Sequence, residues 1–246
     1  MNLNNDTKIY FEFARQLFSS YNILKPSIEL SKNLSSLSNK YNINVDNYNN
    51  VRFIYNEIIN KYYHNEITIK SNFVNNILLK SNNHITIFEF NLESSRADLC
   101  KINGKSIAFE IKTDLDNFSR LSKQLNDYAE VFEEVYVICS KNNLKNIYHL
   151  IPDYCGIYSY DILKNNYYKF SKEKNSKCMN NLNAFKQLNL LTKKELKENF
   201  IKINYLNDKD LIINEILLVY STKYINSKFK KILKARYKDK WDRSEE

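Results

Sequence analysis

Apolar positions along the chain fall into blocks of different period. Ile9, Phe11, Phe13, Ala14, Leu17 and Phe18 give a mostly helical spacing near the start. Ser31 to Asn50 is polar and dominated by Ser and Asn, which predicts loop or short helix. Val51 to Tyr63 returns to helical spacing, and so does Glu66 to Lys80, with Ile67, Ile69, Phe73, Val74, Ile77 and Leu78. A strand is predicted from Ile85 to Leu92, with Ile85, Ile87, Glu89 and Asn91 on one face. Asn103-Gly104 is a hairpin signal between two strand-like runs. Phe118, Leu121, Leu125, Tyr128 and Phe132 then recur at helical spacing, with Asp114 or Asp116 as the expected N-cap. Val135 to Ser140 and Gly156 to Asp161 read as strands, the first returning parallel to the strand of Glu110. After Asn165 the pattern turns helical and basic, and Thr192 to Glu195 has the form of a capping box.

Composition narrows the picture. The 246 residues are 43% hydrophobic, enough for a real core, and carry a formal net charge of +9. That charge points to an anionic partner such as nucleic acid, although Asn, Lys, Ile and Tyr are all abundant as in AT-rich coding. From Lys223 to Lys240 eight basic residues face the single acid Asp239, interleaved with Ile225, Phe229, Ile232, Leu233 and Tyr237. Such an amphipathic helix either tracks phosphates, through Lys228, Lys231, Lys234 and Arg236, or packs its apolar stripe as a solvated surface helix. Cys100, Cys139, Cys155 and Cys178 lack metal-ligand spacing, and Cys100 and Cys139 fit buried strand positions. His64, His84 and His149 are scattered and read as surface residues rather than a catalytic base. The start lacks a signal-peptide pattern and the best apolar run, Leu211 to Tyr220, is short, so a cytoplasmic protein outside the membrane is expected.

Candidate chemistry concentrates between Arg96 and Tyr128. Asp98 precedes Glu110-Ile111-Lys112 across the hairpin, and strand alternation projects Glu110 and Lys112 together. Two carboxylates beside an ammonium suit a hard divalent cation bound by oxygens. Register decides whether they meet. A two-residue Asn103-Gly104 loop pairs Asp98 with Phe109 and sends Asp98 and Glu110 to opposite faces. An odd-length loop, such as Ile102-Asn103-Gly104, restores a common face. The plainer readings are a surface pair of Asp98 with Arg96, and a Glu110–Lys112 pair on a solvated strand.

With Gln124 and Tyr128 one helical turn apart on the next helix, the ordered set resembles the PD-(D/E)XK nuclease superfamily. Arg96-Ala97-Asp98, Glu110-Ile111-Lys112-Thr113-Asp114, Arg120-Leu121, Gln124 and Tyr128 are more closely similar to a small, largely uncharacterised bacterial family within it. Ala97 stands where the motif has its proline. The resemblance implies an α/β, restriction-endonuclease-like αβββαβ core with a mixed sheet over 66–165, to which the residue pattern adds a helical extension over 1–65 and a basic helical region over 166–246. It further implies a bacterial or phage nuclease using Mg²⁺ or Mn²⁺ and acting on nucleic acid, DNA before RNA. Asp98 and Glu110 become metal ligands, with the Ile111 carbonyl and Glu89 as further oxygens and Glu93 or Glu66 as rivals to Glu89. Lys112 and Gln124 join the catalytic set, and Arg96 and Tyr128 contact the nucleic acid, Tyr128 alternatively packing in the core. A nucleic-acid-binding, toxin-like or regulatory protein that keeps the fold is the other expectation, and a homodimer or a protein partner stays open.

Overall fold

A computed structural model describes residues 5–22, 25–45, 50–163, 167–200 and 206–245. The chain forms two compact units, one of residues 1–69 with 162–167, the other of 70–161 with 168–246.

In the first unit, α1 (Asn5–Ser20), α2 (Ser27–Tyr41) and α3 (Val51–Tyr62) surround a core of Phe13, Leu17, Leu30, Leu34, Ile54, Tyr55 and Ile59. The stretch read as loop or short helix contains most of α2. Its leucines at positions 30, 34 and 37 keep the helical period that the intervening Ser and Asn residues obscure.

The second unit is a mixed α/β domain. After α4 (Glu66–Phe73), which enters this unit at Lys70, and its π-helical continuation Val74–Leu78 come β1 (Ile85–Asn91), β2 (Arg96–Asn103) and β3 (Lys105–Lys112). Then follow α5 (Leu121–Ala129), β4 (Glu134–Ser140), α6 (Leu144–Leu150), β5 (Gly156–Ile162) and β6 (Tyr168–Lys174). The six strands lie in sequence order in one sheet. β1, β2 and β3 pair antiparallel, and β3, β4 and β5 pair parallel. One face carries an aromatic cluster, in which Phe73 of α4 meets Phe109, Tyr158 and Phe170, each at 5.2 Å between ring centroids. The other face is covered by α5 through Leu121, Leu125 and Tyr128, all fully buried.

Two expectations fail here for local reasons. The first turn before α5 is capped by Asn117, whose side chain accepts from Ser119 N–H at 2.8 Å. Asp116 instead closes the preceding turn on Thr113, and Asp114 binds Ser140 and Asn143. The stretch after Asn165 opens with a strand, because Tyr168 and Phe170 alternate with Lys169 and Ser171 at a sheet edge.

The C-terminal helices α7 (Ala184–Asn189), α8 (Lys193–Asn199), α9 (Lys209–Val219) and α10 (Thr222–Glu245) belong to the same unit as the sheet. The Thr192/Glu195 capping box opens α8 as expected. Helix α10 buries Ile225, Phe229, Ile232 and Leu233 and packs on β1 and α7. Among the described residues no helix is long and apolar enough to cross a membrane. Cys100 and Cys139 are buried strand residues, and burial pushes the Cys139 thiol up to about 12. His84 is buried rather than on the surface, its Nδ1 2.6 Å from the Ser81 carbonyl oxygen.

Candidate active site

The hairpin turn settles the register. Asn103 pairs with Lys105, leaving Gly104 between them at φ 73°, so the turn is odd in length and begins one residue later than Ile102. The ladder runs back through Ile102↔Ser106 to Leu99↔Phe109, and its continuation sets Asp98 across from Glu110. On the other side, Phe88↔Leu99 and Phe90↔Ala97 set Glu89 across from Asp98. Glu89, Asp98 and Glu110 therefore occupy one row across β1, β2 and β3. At Glu89 the β1 ladder opens, because its φ of 53° takes the backbone out of the extended region. Glu89 and Asp98 bring carboxylate oxygens within 4.8 Å of each other.

Each member of the row has partners. Asp98 Oδ2 accepts the Ile111 N–H at 2.6 Å, so Ile111 contributes its amide directly to the site. Lys112 Nζ donates to Glu110 Oε1 at 2.8 Å and to Gln124 Oε1 at 3.2 Å. The Tyr128 hydroxyl lies 2.6 Å from Glu110 Oε2 and 2.7 Å from the Arg96 carbonyl oxygen, so its single proton serves two acceptors. Glu110 is 2% exposed, and Asp98 and Lys112 are each 8% exposed. This is not a solvated strand face. Burial pushes the Glu110 carboxyl above its ordinary range, against the opposing pull of Lys112, Tyr128 and Gln124. Burial and the Glu110 charge hold the phenol proton on Tyr128 far above the usual tyrosine range.

Arg96 is exposed, and its Nε lies 2.9 Å from Glu89 Oε2 rather than pairing with Asp98. Lys70, from the last turn of α4, grips the other oxygen of Glu89 and is buried. Lys70 carries no sequence signal, since one lysine in a lysine-rich chain has no distinguishing spacing. Of the rivals to Glu89, Glu93 accepts from Asn189 Nδ2 at 2.5 Å.

The basic residues of α10 lie elsewhere. Lys230 Nζ reaches the Gly104 carbonyl at 2.6 Å and both Glu133 oxygens at 2.9 Å. Lys234 donates to the Asn83 carbonyl at 2.9 Å, and Arg236 pairs with Glu195 at 2.5 Å. These contacts fasten the helix to the hairpin tip and to α8. Lys228 stands 5.8 Å from the Tyr224 ring centroid, and Lys231 is exposed. From Lys105 to Glu110 the strand advances roughly 16 Å at about 3.3 Å per residue, so the helix holds the end of the sheet remote from the acid row.

Tyr128→Phe provides a local check on this network. It leaves a buried carboxylate oxygen without its donor, which costs about 1–3 kcal/mol. Loss of a hydrogen bond to the charged form raises the Glu110 carboxyl further. A carboxyl raised on folding binds its proton more tightly in the native state, so stability falls as pH climbs above the ordinary 4.5. The melting-temperature gap between Tyr128→Phe and the parent chain should therefore widen from about pH 4 to pH 7. A gap independent of pH would mean that Tyr128 acts by packing alone.

Residues 60–244 match the family described as bacteriophage P4 protein cII. The chain belongs to the bacteriophage P4 protein cII family. The acid row, Lys112, α5 and nearly all of α10 fall within the matched stretch, while α1 and α2 precede it. Protein cII of Enterobacteria phage P4 is 32% identical over 105 residues, or 43% of this chain, and the chain covers 39% of that relative's length. The match agrees with the bacterial-or-phage expectation. A solved structure, the SPO1766 protein of unknown function from Silicibacter pomeroyi, is similar at a TM-score of 0.32 and 16% identity, covering 40% of this chain and 63% of that one. That score assigns no shared fold.

Proposed function

We propose that this chain is a metal-dependent hydrolase of nucleic-acid phosphodiester bonds, built on a restriction-endonuclease-like core. The observation that carries the reading is the row Glu89–Asp98–Glu110 in register across three strands, with the Lys112 ammonium held against Glu110. The order of α4, three antiparallel strands, α5 and the parallel strand β4 supports it, being the αβββαβ sequence the resemblance implies.

The donor set fits the implied ion. Buried carboxylate oxygens without thiolate or imidazole suit Mg²⁺ or Mn²⁺. Asp98 and Glu110 would hold the ion, with Glu89 and the Ile111 carbonyl as further oxygens. Once bound, such an ion lowers the pKa of a coordinated water and stabilises a departing oxygen. The protein's own part is positioning. Ile111 N–H fixes the Asp98 carboxylate, and Tyr128 and Gln124 fix Glu110 and Lys112. Lys112 then presents its ammonium to charge that develops on the phosphate.

The test incubates purified protein with plasmid, linear and single-stranded DNA and with RNA, with and without Mg²⁺ or Mn²⁺. Metal-dependent cleavage that disappears in Asp98→Asn is expected. A well-folded parent chain that binds nucleic acid but cleaves none of these substrates would return the non-catalytic binding module to first place.

A further inference from the structure

Glu89 is held by a buried lysine on one oxygen, and its other oxygen lies at ion-pair distance from an exposed arginine without a hydrogen bond to it. Its backbone sits at φ 53°, outside the extended region that the paired residues on both sides of it occupy. Neither Lys70 nor Arg96 is used by the chemistry set out above, yet both contact Glu89, whose carboxylate comes within 4.8 Å of that of Asp98. Parting a buried ammonium from a carboxylate carries a desolvation cost, which favours Glu89 turned toward Lys70.

We propose that Lys70 is an exchangeable internal counter-ion of the metal site: it holds Glu89 until a divalent cation at Asp98 draws that carboxylate away. The inference rests on the metal-binding reading above and adds a residue to it. Cation and ammonium compete for one oxygen set, so metal affinity is set below what the carboxylates alone would give. The exchange also leaves Lys70 and Arg96 beside the ion, where the negative oxygens of a phosphodiester need charge. Arg96 is the exposed and weaker partner. Lys70 is the residue that decides the competition.

The experiment is calorimetric titration of Mn²⁺ into the full chain and into Lys70→Gln, Lys70→Arg and Asp98→Asn, with thermal melts at zero and saturating metal. Lys70→Gln should bind Mn²⁺ on the order of tenfold more tightly, because one competing positive charge is gone. Lys70→Arg should bind as the parent does. The melts separate competition from general loosening: Lys70→Gln should melt below the parent without metal and recover most of that gap when saturated. Equal Mn²⁺ affinity in the parent and Lys70→Gln, with binding abolished by Asp98→Asn, would overturn the counter-ion role and leave the metal reading intact. Binding unaffected by Asp98→Asn, or no binding by the parent, would overturn both.

Discussion

Lys112→Met should slow metal-dependent cleavage by about 10²–10³-fold, the usual worth of a positioned electrostatic group. The metal ligands are untouched by the change, so Mn²⁺ should still bind. Strand alternation alone predicts that the fold ignores this substitution, and the structure corrects that. Glu110 and Lys112 are buried and paired at 2.8 Å, so removing the ammonium strands a carboxylate in a nearly dry setting. Breaking such a pair costs about 3–5 kcal/mol, less whatever Glu110 recovers by taking up a proton. Lys112→Arg separates the two effects. It keeps the charge and most of the stability, but its planar fork places that charge differently from a compact ammonium. The expected result is a melt near the parent's with a rate still well below it. If Lys112→Met and Lys112→Arg both cleave as fast as the parent, Lys112 has no part in the chemistry.

The same residues separate what local sequence pattern carries from what only the pairing of strands decides. Alternation along Lys105 to Lys112 and the Asn103-Gly104 signal predict the hairpin, helical spacing from Phe118 to Phe132 the following helix, and the run Val135 to Ser140 the parallel return strand. Whether Asp98 and Glu110 share a face was a question of loop parity, which sequence leaves open and a glycine at φ 73° resolves. Glu89 could not be told from Glu93 or Glu66 by spacing. What singles it out is its place opposite Asp98 in the β1–β2 ladder, and that is a pairing between strands rather than a local pattern. Strand β6 is masked because it has two aromatic residues beside three lysines, as suits an edge strand and as also occurs in basic helices. The charge of α10 was legible, but its destination was not. Lys230, Lys234 and Arg236 find their partners in Gly104, Asn83, Glu133 and Glu195, residues 41 to 151 positions away.

Glu133→Ala should lower stability by about 3 kcal/mol, and this tests the reading of α10 as a latch. Its carboxylate accepts from Ser106 N–H at 2.7 Å, from Lys230 at 2.9 Å and from Asn226 at 3.1 Å, joining the start of β3 to α10. Side-chain exposures of 14% for Glu133 and 16% for Lys230 leave little water to replace those bonds. Burial raises the Glu133 carboxyl, but Lys230, Ser106 and Asn226 outweigh it and hold it below the ordinary 4.5. A carboxyl depressed on folding stabilises the native state above its unfolded value and loses that contribution as pH falls through the folded one. The stability gap between the parent and Glu133→Ala should thus be full at neutral pH and shrink below 4.5. Ending the chain before Ser227 should do more, since it removes Phe229, Ile232 and Leu233 from the core, each worth about 2–5 kcal/mol when truncated. Loss of nucleic-acid binding in that shortened chain would report unfolding, so phosphate contacts must be tested by substituting Lys228 and Lys231 in the full chain. Thermal melting decides the matter. A shortened chain that melts like the full one would show that α10 is no latch and return its lysines to the search for a phosphate-tracking surface.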